Sequence, residues 1–398
     1  MMKPLKLILL PFLKVKKVSD DQIIITQKFI DGVFEYQKYW SGSIVVLLEN
    51  DNFYNNNLDH ILININDLPF EIKIIDLNFL KDCPELQENS IFLISTGFRQ
   101  NQISKICKQH KIPCIYITEY SLKTRIQIIN TTTKNPILRL RRYAWEVSQE
   151  LKQRKAIAIA DGVQCNGVPT YQSYHKINPN PLLYFDTRIA EYMIISSDNL
   201  MAKTSECLQK KNLRLIFSGR LIKIKGADHL ISVAEHLKQL GVEFEMFICG
   251  DGELKETMEK QIIKKGLSDC VKMLGVLEFK TELVPFIQNN IDLFICCHRQ
   301  GDPSCTYLET MSCGVPIIGY DNEAFVGVVN QSQAGWLVKM NRPDLLAEKI
   351  AELNQNRELI MAESYKSLEF AKQHTFEKTF QRRINHIQEI AANKTILC

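Results

Sequence analysis

The 398-residue sequence has no run of about 18 apolar residues, so it offers no segment able to cross a bilayer as a helix. Its twelve cysteines form no CxxC pair and keep no regular spacing with the eight histidines, which excludes a zinc ribbon, a finger or a disulfide framework. Several of them, such as Cys249, Cys296 and Cys297, sit inside apolar runs and read as reduced, buried thiols of a cytoplasmic protein. Low-complexity blocks are absent and the formal net charge is only +4, with 45% hydrophobic and 24% charged residues. That balance belongs to a folded globular chain. With a pI of about 8.3 and no binding-motif signature, nucleic acid is not an expected partner. The stretch Met1 to Leu13 lacks a small-residue cleavage site before Lys14, Lys16 and Lys17, and reads as a first buried strand rather than a leader.

What is present suits two domains, because 398 residues exceed what one hydrophobic core usually organises. In the second half, short β-branched runs alternate with helical patterns, as in βα units around a parallel sheet. Strands are expected at Leu213 to Phe217, Phe244 to Cys249, Val271 to Leu274, Leu293 to Cys297, Pro316 to Gly319 and Trp336 to Val338, with a helix over Ala227 to Leu240. The first half repeats the theme at Leu5 to Leu10, Ile44 to Leu48, Ile72 to Ile75, Ile91 to Ser95, Cys114 to Thr118 and Ala156 to Ala160. Its helices are expected at Asp20 to Trp40, Asn101 to Lys111 and Ile137 to Arg154. The reading is an α/β protein of two doubly wound, Rossmann-like domains facing a central cleft, residues 1–200 and 201–374. The junction is placed near Asn199 to Asn212, and residues 375–398 form a last helix that packs back across it.

Three segments fall at the carboxyl edge of the second sheet, where such folds bind ligands. Ser218-Gly219-Arg220 and Lys225-Gly226 present a guanidinium and an ammonium suited to phosphate oxygens. Gly250-Asp251-Gly252 offers a tight turn for close backbone approach, and an ordinary strand-to-helix turn is its plain alternative. In Gly301-Asp302-Pro303-Ser304-Cys305-Thr306 a turn leads into a short helix carrying Glu309, and the amides of Ser304, Cys305 and Thr306 face an anion there. His298, the one histidine near this chemistry, reads as a satisfied strand-end imidazole.

The order GR-x4-KG, GDGE, Leu274-Gly275 and the Glu309 helix ending in CGVP resembles the donor half of the GT-B glycosyltransferases, specifically the family 4 (group 1) retaining enzymes, from about Leu213 to Val338. The resemblance implies transfer of a sugar from a nucleoside diphosphate to a hydroxyl acceptor, with retention, in polysaccharide or glycolipid biosynthesis. No cofactor and no obligatory metal is implied. Carried over by position, Arg220 and Lys225 bind the diphosphate, Glu309 the ribose, the Ser304 to Thr306 amides the distal phosphate, and the backbone at Leu274 the base. The family's first glutamate falls at Gly301, so Asp302, one position late, is expected to hold sugar hydroxyls. Two other readings on the same architecture are a nucleotide-sugar 2-epimerase and a non-catalytic binding subunit.

The first half matches less well, since Pro11 to Asp20 replaces the family's paired glycines after the first strand. Glu119 stands where a histidine often follows the Cys114 to Thr118 strand, and Asp161, Gln164 and Asn166 read as a loop on the acceptor side. Between Lys123 and Lys155 nine cations face only Glu146 and Glu150, with Trp145 and several leucines interspersed. That helix suits anionic lipid headgroups, so a glycan or lipid-linked acceptor at the inner face of a membrane is expected.

Overall fold

The structure is a computed structural model that describes residues 5–51, 59–78, 86 and 89–396. Two sheets organise it. The C-terminal sheet has six parallel strands in the order Val271–Gly275, Phe244–Cys249, Leu213–Ser218, Leu293–Cys296, Ile317–Tyr320 and Trp336–Val338. These strands lie close to where the sequence puts them, because a central parallel strand buried on both faces is a continuous apolar run bounded by turns. Helices cover both faces, with Leu230, Ile231, Ala234 and Leu237 of Ala227–Gln239 in one core and Tyr307, Leu308 and Met311 of Thr306–Met311 in the other.

The N-terminal sheet is mixed. A parallel run of Pro181–Tyr184, Gly162–Asn166, Cys114–Thr118, Ser90–Ser95, Lys6–Leu10 and Ile44–Asn50 continues into Glu71–Ile74. An extension through Lys14–Lys17, Gln22–Thr26 and His60–Asn64 is antiparallel within itself. The expected helix from Asp20 therefore begins only at Gln27 and runs to Tyr39, since the β-branched triplet Ile23-Ile24-Ile25 pairs as a strand first.

A second correction moves a site. Ala156 to Ala160 is not a strand but the end of a helix, Pro136–Ile159, capped at its start by Asn135 and carrying Pro at its first position. Short apolar runs of this kind look alike in strands and buried helix ends. The strand is Gly162–Asn166, all five residues buried, so the segment read as a cleft loop is sheet interior.

The crossover between domains lies at about 185–196, earlier than the polar stretch suggested. Ser196 accepts from the Asn199 amide and starts a helix, Ser197–Gln209, that already packs on Arg357–Lys372 of the C-terminal domain. The last helix, Phe376–Ile396, returns to the N-terminal domain. Its Phe380, Ile384, Ile387 and Ile390 join that core, and Phe380 meets Tyr36 edge-on at 5.1 Å between ring centroids.

Candidate functional site: a polar clamp facing an apolar chamber

The carboxyl ends of the two sheets face each other, and the Gly301 turn touches the opposite domain. Thr124 Oγ1 donates to the Gly301 carbonyl at 3.0 Å, and the Gly301 amide donates to Gln127 at 2.9 Å. Lys123 adds an ion pair to Glu323 at 2.7 Å.

On the C-terminal side, Gly226 holds the left-handed conformation at φ 70°, and a Cβ there would stand 1.9 Å from the Cys297 carbonyl oxygen. Only glycine lets the turn Lys223–Lys225 press onto the end of the neighbouring strand and aim Lys225 inward. Its Nζ donates to Asp302 Oδ2 at 2.7 Å, both side chains being about nine-tenths buried. Burial alone would raise the Asp302 carboxyl, but Lys225, with His298 beside it, outweighs burial and holds it below the usual range. Asp302 is thus first the partner of Lys225, and its buried Oδ1 has no partner among the described residues. His298 is 1% exposed and both its ring nitrogens likewise lack partners, so the expectation of a satisfied imidazole fails. Burial, with Lys225 adding to it, pushes its pKa down to about 3.

Arg220 is exposed, and while its carbonyl accepts from the Ile222 amide at 2.9 Å, its guanidinium takes no ion pair or hydrogen bond among the described residues. Arg299 holds the base of the loop, its Nη1 and Nη2 donating to Asp228 Oδ1 and Oδ2 at 2.7 and 2.9 Å. Glu309 is buried and its Oε1 accepts from Arg188 Nε at 2.8 Å. Arg188 belongs to the crossover segment and stacks 4.0 Å over the Phe279 ring. Sequence reading missed this arginine because its partner lies 121 residues away.

Gly250 has a steric cause independent of any ligand. At φ 131° a Cβ would lie 2.0 Å from the Gly219 carbonyl, and the two turns are stitched by Gly219 N to Cys249 O and Leu221 N to Asp251 O. Gly252 approaches the Leu221 carbonyl in the same way, which favours the plain-turn alternative for this motif. Leu274 is the next-to-last residue of its strand beside them, and the Gly275 carbonyl that follows accepts from the Gly250 amide at 2.6 Å. In the Gly301 turn the Ser304 amide is already taken by the Asp302 carbonyl at 2.8 Å, which withdraws it from the expected anion site and leaves Cys305 and Thr306 to open the helix.

On the N-terminal side Glu119 sits at the mouth of a cavity of about 450 Å³. Asn166 donates to it at 3.0 Å, and burial together with the Asp186 charge raises its carboxyl. Asp186 pairs with Lys28, whose Nζ also lies 3.1 Å from Cys305 Sγ at the start of the Glu309 helix. Burial, then Asp186, pushes the Cys305 thiol up to about 12, so it is an inert thiol. Two residues expected on this side are elsewhere. Asp161 precedes its strand and so stands at the opposite, amino edge of the sheet, where it accepts from the Cys114 amide at 2.9 Å. Gln164 is buried mid-strand and exchanges two 2.9 Å hydrogen bonds with Arg383, docking the last helix.

Among the described residues no group of three or more His, Cys, Asp or Glu side chains is arranged to hold a metal ion. The arrangement instead offers cations and buried acceptors on one wall of a cleft and an apolar chamber with a charged mouth on the other. A cleft of this kind, between two α/β domains joined by a crossover and clasped by a returning C-terminal helix, defines the GT-B glycosyltransferase fold, and solved members superpose over nearly the whole chain. Anabaena HepE in complex with UDP gives a TM-score of 0.65 at 14% identity, covering 97% of this chain and 100% of that one. Sucrose-phosphate synthase from Thermosynechococcus elongatus gives 0.64 at 12% identity over 98% and 100%. At such identities the likeness is one of fold.

Residues 202–369, within the C-terminal domain, match the profile described as glycosyl transferases group 1. Relatives include a glycosyltransferase of Methanocaldococcus jannaschii, 29% identical over 163 residues, 41% of this chain and 44% of that protein. The amylovoran biosynthesis glycosyltransferase AmsK of Erwinia amylovora is 28% identical over 150 residues, 36% of each chain. The chain spans about half or less of the length of these curated relatives.

Proposed function

We propose that the protein transfers a sugar from a nucleoside diphosphate to a hydroxyl acceptor held in the cleft, in polysaccharide or glycolipid assembly. The observation that carries this reading is the convergence of Arg220, Lys225, Asp302 and Glu309 at one sheet edge within the group 1 domain. Arg220 and Lys225 neutralise the leaving diphosphate, with the Cys305 and Thr306 amides at its far end. Glu309, steadied by Arg188, accepts from the ribose hydroxyls through its remaining oxygen. Asp302 offers its unpartnered Oδ1 to a sugar hydroxyl while Oδ2 keeps Lys225 in place.

Catalysis then rests on charges fixed in advance around the departing phosphate. No side chain needs to attack, which suits retention with the donor phosphate taking the acceptor proton, and neither cofactor nor obligatory metal is part of the proposal. Because the neighbour HepE was solved with UDP and with UDP-glucose, uridine diphosphate sugars are the first donors to try.

The helix Pro136–Ile159 favours contact with an anionic membrane from the cytoplasmic side. Ile137, Leu140, Val147 and Leu151 recur on one face, Ile137 and Leu140 being 80% and 69% exposed, with Arg141, Lys152 and Lys155 beside them. Its acids, Glu146 and Glu150, are both held by Arg125 on the inner side. No described helix is long and apolar enough to cross a membrane. Incubating the pure protein with UDP-, GDP- and ADP-sugars and hydroxyl acceptors, and following release of the nucleoside diphosphate, tests the transfer. Release that depends on an acceptor supports it, and no release from any donor overturns it.

A further inference from the structure

We propose that the cavity of the N-terminal domain holds the apolar body of an amphiphilic acceptor, with the acceptor's hydroxyl-bearing head at the charged mouth. This rests on the glycosyl-transfer reading and specifies the class of its second substrate.

The walls make the first argument. Strand ends contribute Leu9, Leu93 and Ile117, the helix Gln27–Tyr39 contributes Phe29 and Val33, and the last helix contributes Phe380. None of these side chains can donate or accept a hydrogen bond. Thr26, Tyr36, Ser95 and Tyr184 also line the cavity and can meet a few hydroxyls, but along the hydrocarbon walls a wholly polar glycan would bury further hydroxyls without partners, each a net cost, whereas an apolar group gains from leaving water. A volume of about 450 Å³ is within the usual range for a small-molecule site.

Polarity along the chamber gives the occupant a direction. Its charged lining comes from Lys28, Glu119, Asp186 and Arg383, with Asp59 on the wall as well. Lys28 reaches Cys305, so the charged end is the end beside the donor helix. A hydroxyl held by Glu119 and Lys28 therefore lies toward the departing phosphate, and the rest of the molecule points away from it.

A track out of the chamber makes the independent second argument. Pro11 and Leu13 line the cavity, while Phe12 between them turns outward and is 58% exposed. Its ring lies against Gly97, 2.8 Å from where a Cβ would stand. The next residue, Phe98, is also exposed and meets Trp145 edge-on at 6.0 Å between centroids. Trp145 sits on the helix that carries the exposed apolar stripe. Single exposed apolar residues are ordinary, but this series runs unbroken from a cavity mouth to an amphipathic helix.

The shared chemistry is an apolar body joined to a hydroxylated head, which a lipid-linked sugar and an aromatic glycoside both have. Calorimetric titration of the full-length protein with methyl, hexyl, prenyl and phenyl glycosides of one sugar, without donor, tests it. Affinity is expected to rise by about fourfold per buried methylene at first, so the hexyl glycoside should bind at least tenfold more tightly than the methyl one. The prenyl and phenyl arms tell a lipid chain from an aromatic ring. Ile117→Trp, which fills the chamber, and Leu13→Asp, which charges its apolar exit, should each weaken the hexyl glycoside at least tenfold while nucleoside diphosphate affinity, the measure of an intact fold, stays as in the wild type. Equal affinity for methyl and hexyl glycosides, or hexyl binding unchanged in both variants, overturns the proposal. Since these titrations need no turnover, failure of glycosyl transfer would appear separately, as donors that are never cleaved.

Discussion

The two walls of the cleft are built on opposite principles. The C-terminal wall uses a few charged side chains whose positions are fixed by glycine turns and buried pairs: Lys225 against Asp302, Arg188 against Glu309, Arg299 against Asp228. The N-terminal wall is mostly hydrocarbon, with its charges gathered at one rim by Lys28, Asp186 and Glu119. A charged wall suits one invariant anion, and an apolar wall suits a partner recognised by shape. The difference predicts that donor-side mutations change rate and nucleotide affinity, while acceptor-side mutations change which acceptor is used.

The largest effect is expected at Lys225 and Arg220, where losing one charge contact to the leaving group should lower kcat/KM by about 100-fold or more. The two are not equivalent probes. Removing Lys225 also strands a buried Asp302, a loss of about 3 to 5 kcal/mol of stability for a pair of this kind. Lys225→Met should therefore lower Tm and the double variant Lys225→Met/Asp302→Asn should restore much of it without restoring turnover. Thermal unfolding beside steady-state rates separates the two losses, and a Lys225→Met variant of normal Tm would show the pair to be inconsequential.

Next in size is the ribose contact proposed for Glu309. Glu309→Ala should weaken nucleoside diphosphate binding by about tenfold or more, as for a hydrogen bond to a charged group, and Arg188→Ala by less because it acts through Glu309. Unchanged nucleotide affinity in Glu309→Ala, measured by calorimetry, would remove that carboxylate from the site.

A further contrast is in pH. Unfolded histidine binds a proton near pH 6.5, while His298 stays neutral in the folded protein down to about pH 3. The unfolded state therefore takes up the proton first, and stability attributable to His298 is intact above pH 6.5 and declines as pH falls toward 3, by about 1.4 kcal/mol per pH unit. His374, also pushed down to about 3 by burial and by Arg382, adds a similar slope from the domain junction. His298→Leu should flatten the acid limb of the Tm profile by about one histidine's worth, and an unaltered limb would show that His298 is not buried and neutral.

The smallest effect belongs to the helix Pro136–Ile159. Replacing Arg141, Lys152 or Lys155 singly by serine should weaken partition onto anionic vesicles by about fivefold each, near 1 kcal/mol per cation. Flotation independent of these residues and of lipid charge would leave the stripe without its proposed partner.

The same contrast explains what was legible in the sequence. The C-terminal half was readable because its strands are continuous apolar runs and its candidate residues are local: Arg220 and Lys225 are five residues apart, and Glu309 lies in the first turn of the helix that follows the Gly301 turn. What it concealed were partners far along the chain, Arg188 for Glu309 and Lys225 for Asp302. The acceptor half was harder. The run Ala156 to Ala160 closes a helix yet reads as a strand, and that one slip carried Asp161 and Gln164 into a cleft they do not line. Nor does any motif announce the chamber, whose wall joins residues from Leu9 to Phe380 and exists only once the last helix has crossed back. Glu119 follows its strand as the sequence placed it, whereas Asn166, read as a loop residue, reaches the carboxyl edge as the last residue of the strand Gly162–Asn166, where it donates to Glu119.

Arg220 gives the most direct test of the charged wall, because it is exposed, its guanidinium is unpaired among the described residues, and its removal strands no buried partner there. Calorimetric titration of wild-type protein and Arg220→Ala with UDP-, GDP- and ADP-sugars should show one donor class bound by the wild type, raising its Tm as ligand binding to the folded state must, and bound far more weakly by the variant. No binding of any donor, or equal binding by the two proteins, would contradict a diphosphate clamp at this sheet edge.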